Sequence, residues 1–459
     1  MSTKTPRQKQ NALEADYRNK NFEEVEIGFT DEQALLEAQR CIQCKKPLCV
    51  KGCPVNVQIP EFIGKVKEGK IQEAGEILRQ TNYLPAVCGR VCPQEKQCED
   101  KCILGIKGEA VAIGALERYV GDKTNANTQK ASPTGKKVAI VGSGCAGMSA
   151  AADLAKEGHE VTIFEALHAV GGVLRYGIPS FRLPREVLDK EVEYLRELGI
   201  YYKTNVIIGK SLTINDLFED EFKAVFICSG AGLPKMLNIK GENLNGVYSS
   251  NEFLTRVNLM KANRQEAPTP LHIGKKAVII GGGNTAMDSA RVAKRIGFEE
   301  VTIAYRRTET ELPARKAEVE HAKEEGINFT LLHSPLEIYA ENSNVSGLKL
   351  QVMKLGEPDD SGRRRPVAVE GKTVNIDVDT VIIALGANPN PIILQSAKEE
   401  HINLEVNKWG YIVTDPETGK TSIPGVWAGG DIAPTDESNA INAMGAGKKS
   451  AKAINEYLK

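Results

Sequence analysis

Val138-Ala139-Ile140-Val141-Gly142-Ser143-Gly144-Cys145-Ala146-Gly147-Met148 runs a β-branched strand into a glycine turn and then into a helix of small residues. A second stretch, Ala277-Val278-Ile279-Ile280-Gly281-Gly282-Gly283-Asn284-Thr285-Ala286-Met287, repeats the pattern about 140 residues later. Each copy leads to a strand with the same tripeptide, Val161-Thr162-Ile163 and Val301-Thr302-Ile303. Two copies of strand, glycine turn, helix and strand mean two nucleotide-binding α/β domains rather than one.

In the first copy Gly142, Gly144 and Gly147 spell G-x-G-x-x-G. The first glycine permits the tight turn, the second lets the backbone approach a pyrophosphate, and the third allows close helix–strand packing. The helix N-terminus offers unpaired N–H groups to the phosphates. Glu165 ends the next strand 23 residues after Gly142, where an acid can accept from a ribose diol.

The second copy has Gly281, Gly283 and Ala286, with Asn284 and Thr285 as extra donors at the helix start. In place of an acid it carries Tyr305 followed by Arg306 and Arg307. Two guanidinium groups there suit a 2′-phosphate, hence NADPH over NADH, against the alternative that both lie on a solvated edge. Two different dinucleotides in one chain make hydride chemistry the natural reading, one of them being a tightly held flavin. Late in the chain Ala428-Gly429-Gly430-Asp431 closes a strand ahead of a helix of small residues, Ala440 to Ala453. Asp431 suits flavin ribityl hydroxyls, and that helix N-terminus suits negative charge on a reduced flavin ring.

Eight of the ten cysteines fall in the first 102 residues, in two runs. Cys41, Cys44, Cys49 and Cys53 read C-x2-C-x4-C-x3-C-P; Cys88, Cys92, Cys98 and Cys102 read C-x3-C-x5-C-x3-C. Iron–sulfur clusters need soft thiolates converging on a cube, and short loops supply them. Zinc is the rival, since tetrahedral thiolate sites also use C-x2-C pairs. Proline directly after the fourth cysteine favours clusters; in ferredoxin-type runs that cysteine serves the other cluster of a pair. Disulfides are disfavoured because Met1 to Arg40 is polar and charged, with no apolar signal segment, so a cytoplasmic, reducing compartment is expected.

The 459 residues suggest roughly three domains, and a 41% hydrophobic content supplies their cores. A formal net charge of −1 argues against a nucleic-acid partner, and no apolar run reaches membrane-spanning length. Thr30 with Gln33 forms a capping box opening a helix through Gln39 that delivers Cys41. Pro60 starts another helix, with a break near Gly69 and a further helix to about Arg79. Gly121 to Gly135 reads as a linker, and the alternation after Gly347, up to the strand ending at Leu385, as a small antiparallel excursion.

Taken in order, CIQCKKPLCVKGCP, CGRVCP, IGALERY, VGSGCAGMSAA, GGVLRYGIPSFRLP, GGGNTAMD, YRR and AGGD resemble the family of glutamate synthase small (β) subunits. That family includes the large subunit of NADH-dependent ferredoxin:NADP oxidoreductase and the amino-terminal half of dihydropyrimidine dehydrogenase. The resemblance covers nearly the whole chain. It implies an α/β fold of two Rossmann-like domains, an NADPH domain inserted in an FAD domain, preceded by an all-helical iron–sulfur domain. The expected division is 1–122 for two [4Fe-4S] clusters, 136–250 and 385–459 for FAD, and 251–384 for NADPH.

The resemblance also implies crossed ligation: Cys41, Cys44, Cys49 and Cys102 on one cluster, Cys53, Cys92, Cys98 and Glu117 on the other. Spacing alone would choose Cys88 over Glu117. Gly172 and Arg175, in the turn Gly171 to Pro179, resemble the loop beside the flavin; the plain alternative is a structural turn. Cys145 and Cys228 have no nearby partner cysteine, so a thioredoxin-reductase reading is weakened. No His/Ser/Asp constellation stands out, and catalysis is expected to rest on the cofactors. Lys45, Lys46 and Lys51 are expected either to dock an acidic partner or to be solvated. Met1-Ser2-Thr3 offers no processed catalytic cysteine, so glutamate synthesis would need a separate large chain. The partner is otherwise a ferredoxin-type flavoprotein subunit, and the contrasting expectation is a non-catalytic electron-wiring subunit.

Overall fold

The computed structural model describes residues 5–126, 128–264, 266–359, 362–434 and 438–459. Strand Lys137–Val141 lies at the centre of a five-stranded sheet. Its neighbours are Glu160–Glu165 and then Tyr201–Thr204 on one side, and Phe222–Ile227 and then Val426–Ala428 on the other. Every pairing is parallel. The inner strands are short apolar runs buried on both faces, as a parallel sheet covered by helices requires, while the edge strand Tyr201–Thr204 is polar and partly exposed.

Strand Lys276–Ile280 has the same central place in a second five-stranded parallel sheet. There it is flanked by Glu300–Tyr305 and Asn328–Leu331, and by Thr380–Ile383 and Val247–Ser249. All five strands of the second sheet fall in sequence between Phe222–Ile227 and Val426–Ala428 of the first, so the second unit is threaded into the first. The outgoing segment Leu233–Pro234 and the returning segment Ala387–Asn388 pair as an antiparallel ribbon, tying the two crossings together.

The antiparallel excursion is real and longer than expected. It begins at His333 and comprises His333–Glu341, Asn344–Pro358 and Arg364–Ile376.

The amino-terminal region is mostly helical, with one short ribbon between Asn11–Ala12 and Glu26–Gly28. The capping box forms as expected: Gln33 N donates to Thr30 Oγ1 at 3.2 Å and Thr30 N to Gln33 Oε1 at 2.9 Å. It opens helix Asp31–Arg40, one residue longer than expected. Helices Ile59–Lys67 and Ile71–Leu78 follow, parted by Gly69 at φ +71°. The linker starts later than expected, because helix Ile113–Lys123 runs through Gly121. A Cβ on Gly121 would meet the Ala86 nitrogen at 2.5 Å, so this glycine serves close helix packing rather than chain freedom. Asn127, within the expected linker, lies outside the described residues.

One core joins the helical region to the first α/β unit, running from Phe62, Leu84 and Leu116 to Ala151, Leu154 and Met444. Among the described residues no helix is long and apolar enough to cross a membrane.

Candidate functional site

Helix Asp31–Arg40 ends on Cys41, and the one-turn helix Leu48–Lys51 carries Cys49. With Cys44 and Cys102, they line one cavity, whose wall also includes Ile42, Leu48 and Ile103. Helix Pro85–Val91 delivers Cys92 at its end, and helix Ile113–Lys123 presents Glu117. Cys53, Cys92, Cys98 and Glu117 line a second cavity. Ile59 and Ile113 face both, so a single layer of apolar side chains separates the two chambers.

Cys88 lines neither chamber. It is fully buried, and its thiol lies 3.6 Å from both Asn82 Oδ1 and the Met444 sulfur, either of which can accept its single S–H. Cys88 stands one helical turn before Cys92 on the same face, close enough for the two thiols to interact, yet it lies deeper and borders neither cavity.

The thiols stand in dry surroundings. Burial pushes Cys53 up to about 12 and, with Cys102 and Cys41 nearby, Cys49 up to about 11. Burial raises Glu117 to about 7, opposed by the hydrogen bond from Asn82. Several such groups cannot ionise together in this setting unless a strong Lewis acid compensates their charge. Among the described residues no three His, Cys, Asp or Glu side chains converge on a single-ion site. The cysteines ring cavities instead.

At the first glycine turn Gly142 has φ +115°, and a Cβ there would lie 2.6 Å from the Cys228 carbonyl oxygen. A Cβ on Gly147 would lie 2.1 Å from the Gly142 oxygen, so helix Cys145–Lys156 rests directly on the turn. Gly144 differs: a Cβ there would meet nothing within 4 Å, leaving an open cradle at the helix N-terminus. Gly172 crosses above it, 2.9 Å from the Gly144 Cα by the same measure.

Glu165 ends its strand buried, accepting from Ser143 N at 3.1 Å, from Ser143 Oγ, and from Leu167 N at 2.9 Å. Gly430 packs against Ala146, and Gly447 against the Ala146 carbonyl, so Asp431 is brought beside the first glycine turn. Burial raises the Asp431 carboxyl, and burial raises the Tyr176 hydroxyl to about 12, with Glu165 and Asp431 both adding to it. Tyr176 thus faces both carboxylates. Its place was foreshadowed only by the Arg175-Tyr176 turn, and its role was missed. Arg175 itself turns away, donating to Val170 O and to Asp189.

Cys145 opens the helix above this turn, and its thiol is pushed up to about 12 by burial, with contributions from Asp431 and Cys92. Ile441, early in the helix that follows Asp431, lines the second cysteine chamber. The first nucleotide cradle and that chamber are therefore neighbours.

At the second turn Gly281 has φ +143°, with the Ala384 carbonyl oxygen 2.3 Å from a would-be Cβ. Gly283 is open, its nearest such contact being Pro313 at 4.0 Å. The buried Ala286 fills the third position. Asn284 Oδ1 accepts from Arg315 N at 2.9 Å, while Thr285 is exposed. The two arginines have different surroundings. Arg306 is exposed at the strand tip. Arg307 is buried, donating to Asp359 Oδ2 at 2.6 Å and to Arg364 O at 2.7 Å. The strand ends at Tyr305 and the chain bends through the two arginines, so the expected pair is split.

One link had no signal in the sequence. Arg315 also donates to Arg90 O and to Gln94 Oε1, both at 2.9 Å, and Gln94 lines the second cysteine chamber. The second nucleotide turn is thereby tied to the helical region.

Residues 18–129 match the family described as dihydropyrimidine dehydrogenase domain II, 4Fe-4S cluster. Residues 136–447 match the pyridine nucleotide-disulphide oxidoreductase family. The chain is 37% identical to the glutamate synthase [NADPH] small chain of Escherichia coli (strain K12), over 96% of this chain and 95% of that one. It is 38% identical to the NADP(+)-dependent formate dehydrogenase subunit beta of Moorella thermoacetica, covering 90% of this chain and 60% of that one. In fold it is similar to Mycobacterium tuberculosis FprA, with a TM-score of 0.55 and 21% identity over 70% of this chain and 83% of that one.

Proposed function

This chain belongs to the glutamate synthase small-chain family of NADPH-linked oxidoreductases, and from that premise we propose that it carries electrons between NADP(H) and a partner subunit. FAD is assigned to the first glycine turn, NADP(H) to the second, and two [4Fe-4S] clusters to the two cysteine chambers. When bound, the flavin exchanges a hydride with the nicotinamide and single electrons with the clusters.

The chain's own part is holding and placing. Gly144 and the helix behind it receive the flavin's pyrophosphate, Glu165 its ribose, and Asp431 and Gly430 its far end. Gly283, Asn284 and Thr285 receive the NADP(H) phosphates, and Arg306 the 2′-phosphate, while Arg307 shapes the loop through Asp359. Cys41, Cys44, Cys49 and Cys102 hold one cluster; Cys53, Cys92, Cys98 and Glu117 hold the other.

The observation that carries this reading is the grouping in the two chambers. Four ligand-type side chains line each one, and the chamber containing Glu117 abuts Ile441 near the flavin cradle. Pro54 directly after Cys53, together with the two interleaved cysteine runs, favours cubes over zinc. The division into a helical region, a flavin unit and an inserted NADP(H) unit is supported by the sheet order, in which Val426–Ala428 returns to the sheet of Lys137–Val141.

A partner is supported by the outer chamber's mouth. Ile42, Leu48 and Ile103 are about half exposed there and Ile106 three-quarters exposed, with Lys45, Lys46 and Lys51 also exposed. An apolar centre with cationic surroundings suits an acidic redox subunit, whether a glutamate synthase large chain or a ferredoxin-type flavoprotein.

The test is anaerobic purification with iron, sulfide and flavin analysis, followed by NADPH addition. Two clusters and one FAD per chain, with the flavin bleached by NADPH, are expected. Colourless protein without iron and sulfide would refute the reading.

A further inference from the structure

Asn82 sits in the turn before helix Pro85–Val91 and is fully buried. Its Oδ1 accepts from Leu84 N at 2.9 Å and lies 3.6 Å from the Cys88 thiol. With the oxygen committed to those donors, only the amide nitrogen can face the other way. It does so, donating to Glu117 Oε1 at 2.7 Å. The side-chain amide therefore cannot flip without losing a backbone bond, and it always offers Glu117 a donor.

We infer that Asn82 is a positioning residue for the Glu117 chamber, fixing one oxygen of that carboxylate and drawing charge from it. The inference rests on the assignment of Glu117 as a cluster ligand. A carboxylate on a short flexible stem has two oxygens and several rotamers, whereas a cube tolerates one approach. Holding Oε1 against Asn82 selects the rotamer whose remaining surface borders the cavity. A hydrogen bond to a ligand also stabilises the more negative, reduced form of the centre and so raises its potential. The turn that holds the amide also starts the helix ending at Cys92, so one residue sets two of the four ligands in register.

Asn82→Ser keeps a short neutral acceptor for Leu84 N, and its hydroxyl stops short of Glu117; Asn82→Ala removes both contacts, and neither variant adds charge. In redox titrations of the anaerobic holoprotein followed by electron paramagnetic resonance, Asn82→Ser is expected to shift one cluster's potential negative and leave the other in place. Loss of one charge-assisted bond corresponds to about a tenfold change in the reduction equilibrium, about 59 mV for a one-electron couple. Iron content should stay at the parent level. Asn82→Ala should act in the same direction, and the Ser variant carries the test alone if the Ala variant does not fold. Two unmoved potentials, or an equal shift of both, would overturn the positioning role. Glu117→Ala is measured alongside. If it changes one cluster's spectrum while the Asn82 variants change nothing, the positioning role falls and the ligand assignment stands. If Glu117→Ala changes neither cluster, the assignment falls, and the positioning role with it.

Discussion

Glu325 is the residue whose loss should be felt most widely. Its side chain is fully buried and accepts five hydrogen bonds from three arginines. Arg291 and Arg295 lie on the helix that begins at Asn284, and Arg18 comes from the amino-terminal region. Arg291 also pairs with Glu318, which shares Arg182 with Asp288; Arg182 belongs to the segment following the flavin-side turn. The network thus bolts the second nucleotide helix to two other parts of the chain.

Burial alone would raise Glu325, but Arg295 and Arg291 outweigh it and hold the carboxyl at about 2, from an ordinary 4.5. At about 1.4 kcal/mol per pH unit, that shift corresponds to about 3 kcal/mol of stability at neutral pH. Removing one partner of a buried charge cluster costs about 3–5 kcal/mol by independent measure, so the two figures agree. Glu325→Gln turns one acceptor into a donor facing guanidinium groups. The melting step containing the inserted unit should drop by roughly 10 °C. Because the folded value is depressed, the parent keeps this stability above about pH 4.5 and loses it as pH falls towards 2. The variant should lack that acid-sensitive component. Glu324→Gln is the control: Glu324 is half exposed and pairs with Arg18 alone, and its loss should cost less than about 1 kcal/mol. Calorimetry across pH 3–7 reads all three proteins. If Glu325→Gln melts within about 0.5 kcal/mol of the parent, the network is not holding the unit together and the reasoning fails.

Arg306→Ala should raise the Michaelis constant for NADPH far more than for NADH, with little change in melting; equal effects on both coenzymes would refute the 2′-phosphate assignment. Arg307→Ala, in contrast, should destabilise the inserted unit by about 1–2 kcal/mol, since it removes the buried guanidinium that bridges Asp359 and the Arg364 carbonyl, and calorimetry distinguishes the two arginines. Gly147→Ala should abolish folding of the first α/β unit, whereas Gly144→Ala should fold and release flavin on dialysis, because only the second added methyl points into open space. Cys88→Ala should leave both clusters' spectra intact, which absorption and electron paramagnetic resonance spectroscopy check directly. Lys45→Glu, Lys46→Glu and Lys51→Glu together should slow reduction of the partner without changing NADPH-to-dye turnover; unchanged partner rates would dismiss the cationic surface.

What the sequence made legible was whatever local backbone chemistry enforces. Gly142 and Gly281 need a positive φ beside a neighbouring carbonyl, and each stands between a β-branched strand and a helix of small residues, so both nucleotide domains were readable from short stretches. The capping box at Thr30 was readable for the same reason. Partners set by the third dimension were not. Spacing preferred Cys88 to Glu117 because both candidate ligands lie on helices whose faces are fixed only when the helices pack. The tight approach that turns Cys88 to Met444 and Glu117 to the chamber depends on Gly89, where a Cβ would meet the Arg118 nitrogen at 2.5 Å, and on Gly121 against Ala86. Gly121, read as the start of a linker, is in fact part of the packing that sets the faces of these two helices. The same packing places Asn82 against Glu117. A glycine that looks like punctuation in a linear pattern can thus decide which side chain borders a cavity, by letting two helices come close enough for one rotamer to prevail.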